Sequence, residues 1–491
     1  MQSIKKILLH ISSFRISMIF LVFWSVFYFS IRFYKDSGDP DIFWHLKTGE
    51  LIVKNKSIPY NDPFSFQSIQ KQWIAYSWLA EIIFYLIYSQ FEWLGLFYLK
   101  FAIHLLMFFI ILYLCYQLSQ NIYISSVLTL LIIPLILPLS VVRPTTFSFL
   151  FFTLFLFIIY QYKYFKKDNL IFLPLIMILW ANIHIVFIYG LILLALFLTG
   201  EILNLLIHKQ KSLDLLKFSI ISFLTFITTF FNPYTYKLYM QIWEYLKIDY
   251  LKPYISEFNS PDFHNKIFLI FPLLLILNSI AIASRKLDFS NILITLFFSY
   301  LAFDMIRNIP YFAISSTIVL SSSIPKISIN FKIFQKKITK LIIPFLNFII
   351  YFALFFNIII KLSYLDPYKI MSFQYPLRAV NFLKEQKIIN PKTKVINLFN
   401  WGGFLIFSLY PQTKVSVDGR TPLYLKEYYY KLFHFEKGNL YWKEYLNDNV
   451  NQGGNLIIFP KYFPVNQLIS KENEWEVIYM DEISIVFRKK I

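Results

Sequence analysis

Between residues 38 and 53 the chain reads GDPDIFWHLKTGELIV, which gathers Asp39, Asp41, His45 and Glu50 directly after a long apolar run. Carboxylates and an imidazole this close together can move protons: a carboxylate at the edge of water can deprotonate or orient a hydroxyl group. Asp41 and His45 are four residues apart, so on a helix they share one face, where they could hold a proton or a divalent cation between them. Two donors do not define a metal site, so the metal is unknown, with Asp41 and His45 as its ligands if there is one. Asp39 stands before Pro40, the pattern of a helix start, and capping accounts for it. Capping accounts less well for Asp41, although the helix dipole favours an acid in the first turn. Thr48 extends the Asp41–His45 stripe, while Ile42, Leu46 and Val53 form another. The spacing predicts an amphipathic helix on a membrane surface, presenting carboxylate and imidazole together.

Other ionisable groups stand where apolar runs end. Asp62 lies in the turn sequence NDP. Glu81 is a lone carboxylate in the apolar stretch SWLAEIIFYLIYSQ and calls for a partner, for which Arg143 and Arg307 are the candidates. Arg143 (VVRPTT), Asn182 and His184 (WANIH) and Arg307 (RNIP) are polar groups at span ends, where their cost marks them as candidates for binding an anion such as a phosphate. Helix-end snorkelling and capping compete with that reading. Further on, Trp401, Gly402 and Gly403 fall together, and a strand pattern ends on Asp418, Gly419 and Arg420. Paired glycines allow a tight turn or close approach to a ligand, and Asp418 with Arg420 is either an ion pair or a ligand contact. Trp44, Trp73 and Trp78 suit stacking on a sugar ring or anchoring at a membrane interface.

The elements that must position these groups are membrane helices. Of 491 residues 57% are hydrophobic and 21% aromatic, more apolar surface than a soluble chain can hide. Apolar runs near residues 14–34, 94–117, 122–142, 145–163, 169–182, 185–207, 214–231, 266–284, 289–306, 309–324 and 341–361 give about eleven spans. The formal charge of +19 resides in short lysine clusters between these runs, which is an orientation signal; basic and aromatic residues do not interleave as a nucleic-acid site requires. Lys5, Lys6 and Arg15 set the N-terminus in the cytoplasm, and the clusters at 162–167, 208–211, 284–286 and 326–340 then fall on the same side. Residues 77–90 read as a helix at or dipping into the outer face. The single cysteine, Cys115, excludes an intrachain disulfide.

Composition changes after Ile360. PLRAVNFLKEQ reads as a helix, KVINLF, KVSVD and NLIIFP as strands, and WEVIYM with ISIVFRK as a closing hairpin. The expected organisation is a polytopic α-helical membrane domain over 1–363, with an amphipathic external loop over 35–92, followed by an external α/β domain over 364–491.

The succession DPDIFWHLKTGELI, IPYNDPFSF, WLAE, RPTTFSF, LWANIHIVFIYG, NPYTYKLY, SEFNSPDF, RNIPYFA, NWGGFLI and VDGR resembles a group of largely uncharacterised bacterial integral membrane proteins that is similar to glycosyltransferases of the GT-C fold. The resemblance runs through nearly the whole chain. It implies a multi-pass protein of the cytoplasmic membrane that takes a sugar from a polyprenyl-phosphate donor to an acceptor at the outer face, with membrane lipid and lipid-linked sugar as partners; a divalent cation as cofactor rests on the Asp41–His45 spacing alone. It implies that the acidic residue of the first external loop, here Asp41 or Asp39, is the catalytic base, and that Arg143, His184 and Arg307 face the donor phosphate. The sequence departs from protein mannosyltransferases in lacking their other signature loops, which leaves sugar and acceptor open. A surface-polysaccharide polymerase or ligase, and a non-enzymatic transporter or assembly factor, are the competing readings.

Overall fold

A computed structural model describes residues 14–32, 39–67, 71–209, 214–252, 255–283, 288–324, 352, 353, 356 and 367–490. The apolar run at 341–361 except residues 352, 353 and 356, the whole of 326–340, and Lys5, Lys6 and Lys286 lie outside these residues. The chain forms two compact units. One is drawn from residues 1–34, 97–235 and 251–364, the other from 35–96, 236–250 and 365–491.

The first unit is a bundle of apolar helices. Among the described residues, five helices are long and apolar enough to cross a membrane: Trp78–Ser119, Ile122–Leu139, Thr145–Phe165, Ile185–His208 and Lys266–Ala283. Shorter apolar helices cover Phe172–Ile183, Leu215–Thr228 and Phe289–Asp304. These coincide with the apolar runs of the sequence. Trp78–Ser119 is two helices in succession: at Glu92, φ of 49° and ψ of −144° break the helical path, so the segment before it is a helix distinct from the apolar helix that follows, as the sequence predicts. Leu206, Phe223, Ile276 and Leu296 are exposed on helix surfaces, as side chains that face hydrocarbon must be. The chain is a membrane protein.

Polar groups inside this bundle gather at the two ends of Thr145–Phe165. The helix has 21 residues and is about 30 Å long at 1.5 Å per residue, the thickness of a bilayer core. Near its end, Lys163 Nζ lies 2.6 Å from both Glu201 Oε1 and Asp288 Oδ2, and Asn204 and Ser290 donate to Glu201. Removed from water, the two carboxylates share one ammonium and take further hydrogen bonds from Asn204 and Ser290, so the network closes helices on one another with every ion held by a partner. At the other end lie Arg143 and His184.

The second unit is built on a mixed five-stranded sheet in the order β2-β1-β3-β5-β4, where β1 is Lys394–Asn397, β2 Lys414–Val415, β3 Leu456–Pro460, β4 Trp475–Met480 and β5 Ser484–Lys489. β1 runs parallel to β2 and β3; β5 is antiparallel to β3 and β4. The strands and the closing hairpin are those of the sequence pattern. Four helices, Gly402–Leu409, Lys426–Glu436, Trp442–Asn451 and Val465–Ile469, fill the connections.

The first loop is a structural part of this unit. Phe66 N donates to Val415 O at 3.0 Å and Val415 N to Phe64 O at 3.1 Å, so the loop pairs with β2 and covers the edge of the sheet. The helix Asp41–Asn55 packs along Gly402–Leu409, and Phe43 enters an aromatic cluster with Trp93, Tyr375 and Phe404 at centroid distances of 5.5, 5.0 and 5.4 Å. Glycine permits this approach: a Cβ on Gly403 would overlap the carbonyl oxygen of Pro40, and one on Gly402 that of Val417. The paired glycines are thus buried helix-packing positions, not a ligand turn. Gly403→Ala is expected to cost about 1–3 kcal/mol through overpacking, read as a lowered unfolding temperature of the purified protein in detergent; an unchanged transition would show that the two helices separate easily.

Candidate functional site

The helix that begins at Asp41 is held by its first turn. Asp39, buried, accepts from the backbone N–H of Asp41 at 3.2 Å, a capping role. Asp41 is half-buried. Its Oδ1 accepts from the indole Nε1 of Trp44 at 3.1 Å and abuts Gly419, where a Cβ would displace it. The carboxylate is therefore fixed by an N–H on one side and by the backbone of the Asp418–Arg420 turn on the other.

The rest of the polar stripe turns inward. His45 and Thr48 are 4% and 0% exposed, so the helix does not display imidazole beside carboxylate as its periodicity suggests. The physical reason is that a second layer covers that face: Thr48 donates to Trp44 O at 2.8 Å, and His45 Nδ1 lies 3.0 Å from Glu81 Oε1. His45 is the partner that Glu81 needs, in place of Arg143 or Arg307. The close packing continues at Gly49, where a Cβ would overlap the Glu81 carbonyl.

Asp62, Asp418 and Arg420 form a buried charge triad. Arg420 Nη1 donates to Asp62 Oδ1, its Nη2 to Asp418 Oδ2 at 2.6 Å and its Nε to Asp418 Oδ1 at 2.8 Å. Asp62 also accepts from the N–H groups of Phe64 and Ser65, and Tyr424 donates to Asp418 at 2.8 Å. The guanidinium also packs against Trp73 and Phe64, 4.6 and 5.0 Å from their ring centroids. Burial opposes its charge, but Asp418 and Asp62 outweigh burial and hold Arg420 protonated far above the ordinary range. Trp401 is structural too: its indole donates to Gln374 O at 2.9 Å.

Beside the triad lies a cleft. Trp44, Trp73 and Arg420 line it, with Glu81 and Ser77. The helix Lys237–Leu246 contributes Gln241 and Tyr245, and the Tyr245 hydroxyl is 2.7 Å from that of Tyr76. Burial, then the neighbouring Tyr245, Asp41 and Glu81, raise the Tyr76 hydroxyl well above the usual phenol range, so it stays a neutral donor. Sequence reasoning missed Gln241 and Tyr245. Their signal is the sharply two-sided pattern of KLYMQIWEYL, a short helix that buries only Leu238 completely.

The membrane unit brings three further candidates together. Arg143 donates to Glu257 at 3.0 Å, His184 Nδ1 lies 2.8 Å from Ser148 Oγ, and Arg307 stacks on Phe258, 4.4 Å from the ring centroid, beside Glu257 in the chain. Arg307 has no ion-pair partner among the described residues. Asn182 donates to the carbonyls of Ile178 and Phe231, both at 2.8 Å, which ties a helix end to the next connection. Glu257 was not legible as the Arg143 partner, because 114 residues separate the two.

No three His, Cys, Asp or Glu side chains come together as metal ligands among the described residues, and His45 faces Glu81 rather than joining Asp41. Among the described residues, the donors around Asp41 and His45 do not fit a resident cation.

No protein-family profile and no curated protein matches the sequence. Solved structures do. The archaeal oligosaccharyltransferase AglB from Archaeoglobus fulgidus, in complex with an inhibitory peptide and a dolichol-phosphate, matches 86% of this chain with a TM-score of 0.57 and 11% identity. The chain shares its GT-C fold. The same enzyme tethered to an acceptor peptide containing the NVT sequon gives a TM-score of 0.58 at 11% identity and 86% coverage, and its complex with Zn and sulfate 0.54 at 10% and 86%. The chain spans 64–65% of the length of these neighbours.

The triad makes a stability claim. Arg420→Met leaves two buried carboxylates facing each other and should cost about 3–5 kcal/mol, whereas Arg488→Met, at an exposed pair with Glu476, should cost less than about 1 kcal/mol. Thermal unfolding of both variants in detergent checks the contrast; equal, small losses would mean that Asp62 and Asp418 do not depend on the guanidinium.

Proposed function

We propose that the protein is a glycosyltransferase that moves a sugar from a polyprenyl-phosphate donor to an acceptor hydroxyl at the outer face of the cytoplasmic membrane, with its N-terminus in the cytoplasm and residues 364–491 outside. The observation that carries this reading is the cluster of Arg143, His184 and Arg307 at one end of the membrane helices, in a chain with the fold of an enzyme solved with a dolichol-phosphate. A nucleotide sugar is confined to the cytoplasm, so transfer outside needs a lipid-linked donor, and its leaving group is a phosphate. Arg307, stacked on Phe258 and without an ion pair among the described residues, and Arg143 neutralise that phosphate, and the planar guanidinium can do so through two parallel hydrogen bonds.

In the second unit Asp41 is the base or orienting carboxylate. The acceptor oxygen forms its bond to the anomeric carbon, the bond from that carbon to the phosphate oxygen breaks with its electron pair going to the phosphate, and the hydroxyl proton passes to Asp41. The Trp44 indole and Gly419 hold Asp41 in one orientation for this step. Asp39 caps the helix.

Transfer or release of radiolabelled sugar from a polyprenyl-phosphate donor by purified protein tests both halves. Asp41→Asn should lower the rate by about 100- to 10,000-fold. Asp39→Asn should cost about 1 kcal/mol or less in stability and retain most of the activity. Sensitivity at Asp39 instead would reverse the two roles, and wild-type rates in both folded variants would remove the carboxylates from the chemistry. A separate arm concerns the phosphate. Arg307→Lys keeps the charge and loses the fork, so donor affinity should fall by about tenfold; unchanged binding and turnover would leave Arg307 a membrane-interface residue.

A further inference from the structure

The cleft in the second unit has a chemistry of its own. Two polar atoms in its lining have no hydrogen-bond partner among the described residues: Ser77 Oγ and Glu81 Oε2, in side chains 2% and 1% exposed. Leaving a buried donor or acceptor unpaired costs about 1–3 kcal/mol each, more for a charged group, which a bound hydroxyl would relieve. Around them, the amides of Gln72 and Gln241 supply donors and acceptors, and Trp44 and Trp73 supply apolar walls. A few convergent polar groups against aromatic surface are the lining of a small-molecule site.

Charge narrows the ligand. Arg420 meets two carboxylates, Asp62 and Asp418, so the triad is net negative, and the His45–Glu81 pair adds no net positive charge whichever partner holds the proton. A phosphate or an acidic ligand would be repelled. An acyl chain would leave Ser77 and Glu81 unpaired. An extended peptide gains most by adding to a free sheet edge, and the β2 edge is already taken by Phe64–Phe66. A neutral ring with apolar C–H faces and several hydroxyls satisfies every group.

We propose that this cleft binds a neutral pyranose residue of a carbohydrate acceptor. That the ligand is an acceptor rests on the transferase reading; that it is a neutral saccharide rests on the cleft alone.

The test is donor-free binding. Chitotriose, cellotriose and maltotriose are titrated into the full-length protein in detergent, with tryptophan emission and equilibrium dialysis as readouts, beside an uncharged tripeptide and inorganic phosphate. At least one trisaccharide is expected to bind saturably while tripeptide and phosphate do not. Gln241→Ala, on a short helix surface that tolerates alanine, and Ser77→Ala should each weaken binding by about tenfold. Arg307→Lys should leave it unchanged. The proposal is overturned if no trisaccharide saturates, if the tripeptide binds in their place, or if Gln241→Ala and Ser77→Ala bind as wild type does. Saccharide binding by a protein that transfers no sugar would defeat only the enzyme reading; transfer without saccharide binding would defeat only this one.

Discussion

The guanidinium of Arg420, buried between Asp62 and Asp418, is the constraint on which the second unit depends. Asp62 and Arg420 are 358 residues apart, yet their contact fixes the first loop against the sheet. From it follow the pairing of Phe64–Phe66 with β2, the placement of Trp73 over the guanidinium and the seating of Gly419 against Asp41. A buried ion triad is weak evidence of net stability, because desolvation offsets most of the attraction. Its consequence is specificity: any other register of the loop would leave a charge buried and alone. A carboxylate of defined orientation, Asp41, is thereby built at the edge of this loop.

The membrane unit solves a related problem by separation. Lys163, Glu201 and Asp288 close one end of the bundle as a hydrogen-bonded ion network. At the other end the arginines are less balanced, with one of the two paired to Glu257 and the other stacked on Phe258. Charges at membrane depth persist when they are paired, and two arginines sharing the carboxylate of Glu257 are where an anionic headgroup gains most. The asymmetry between the two ends supports the reading of one as structural and the other as a phosphate site.

Much of this is legible along the chain, and the reasons are local. The apolar runs mark the helices because length and hydropathy are properties of one segment. VINLF, NLIIFP and the WEVIYM hairpin alternate or run apolar between turn residues, and they are strands. Asp39 before Pro40 announces a helix start, and the helix starts there. Partnership is what stays hidden. His45 with Glu81, Arg143 with Glu257 and Asp62 with Arg420 each join distant segments, and nothing in the spacing of one names the other. The glycines at 402 and 403 illustrate the same limit, since their need for space is set by Pro40 and Val417. Periodicity misleads at His45 for a related reason: it identifies a face of the helix, not what packs on it.

The central claim is that a lipid phosphate is held by the arginines at the end of the membrane helices. The most direct measurement is an experimental structure of the protein in a lipid nanodisc with a polyprenyl phosphate. The account predicts phosphate density within hydrogen-bond distance of the Arg307 guanidinium, with Arg143 beside it. Phosphate density held elsewhere, with Arg307 still stacked on Phe258 and contacting no ligand, would contradict it.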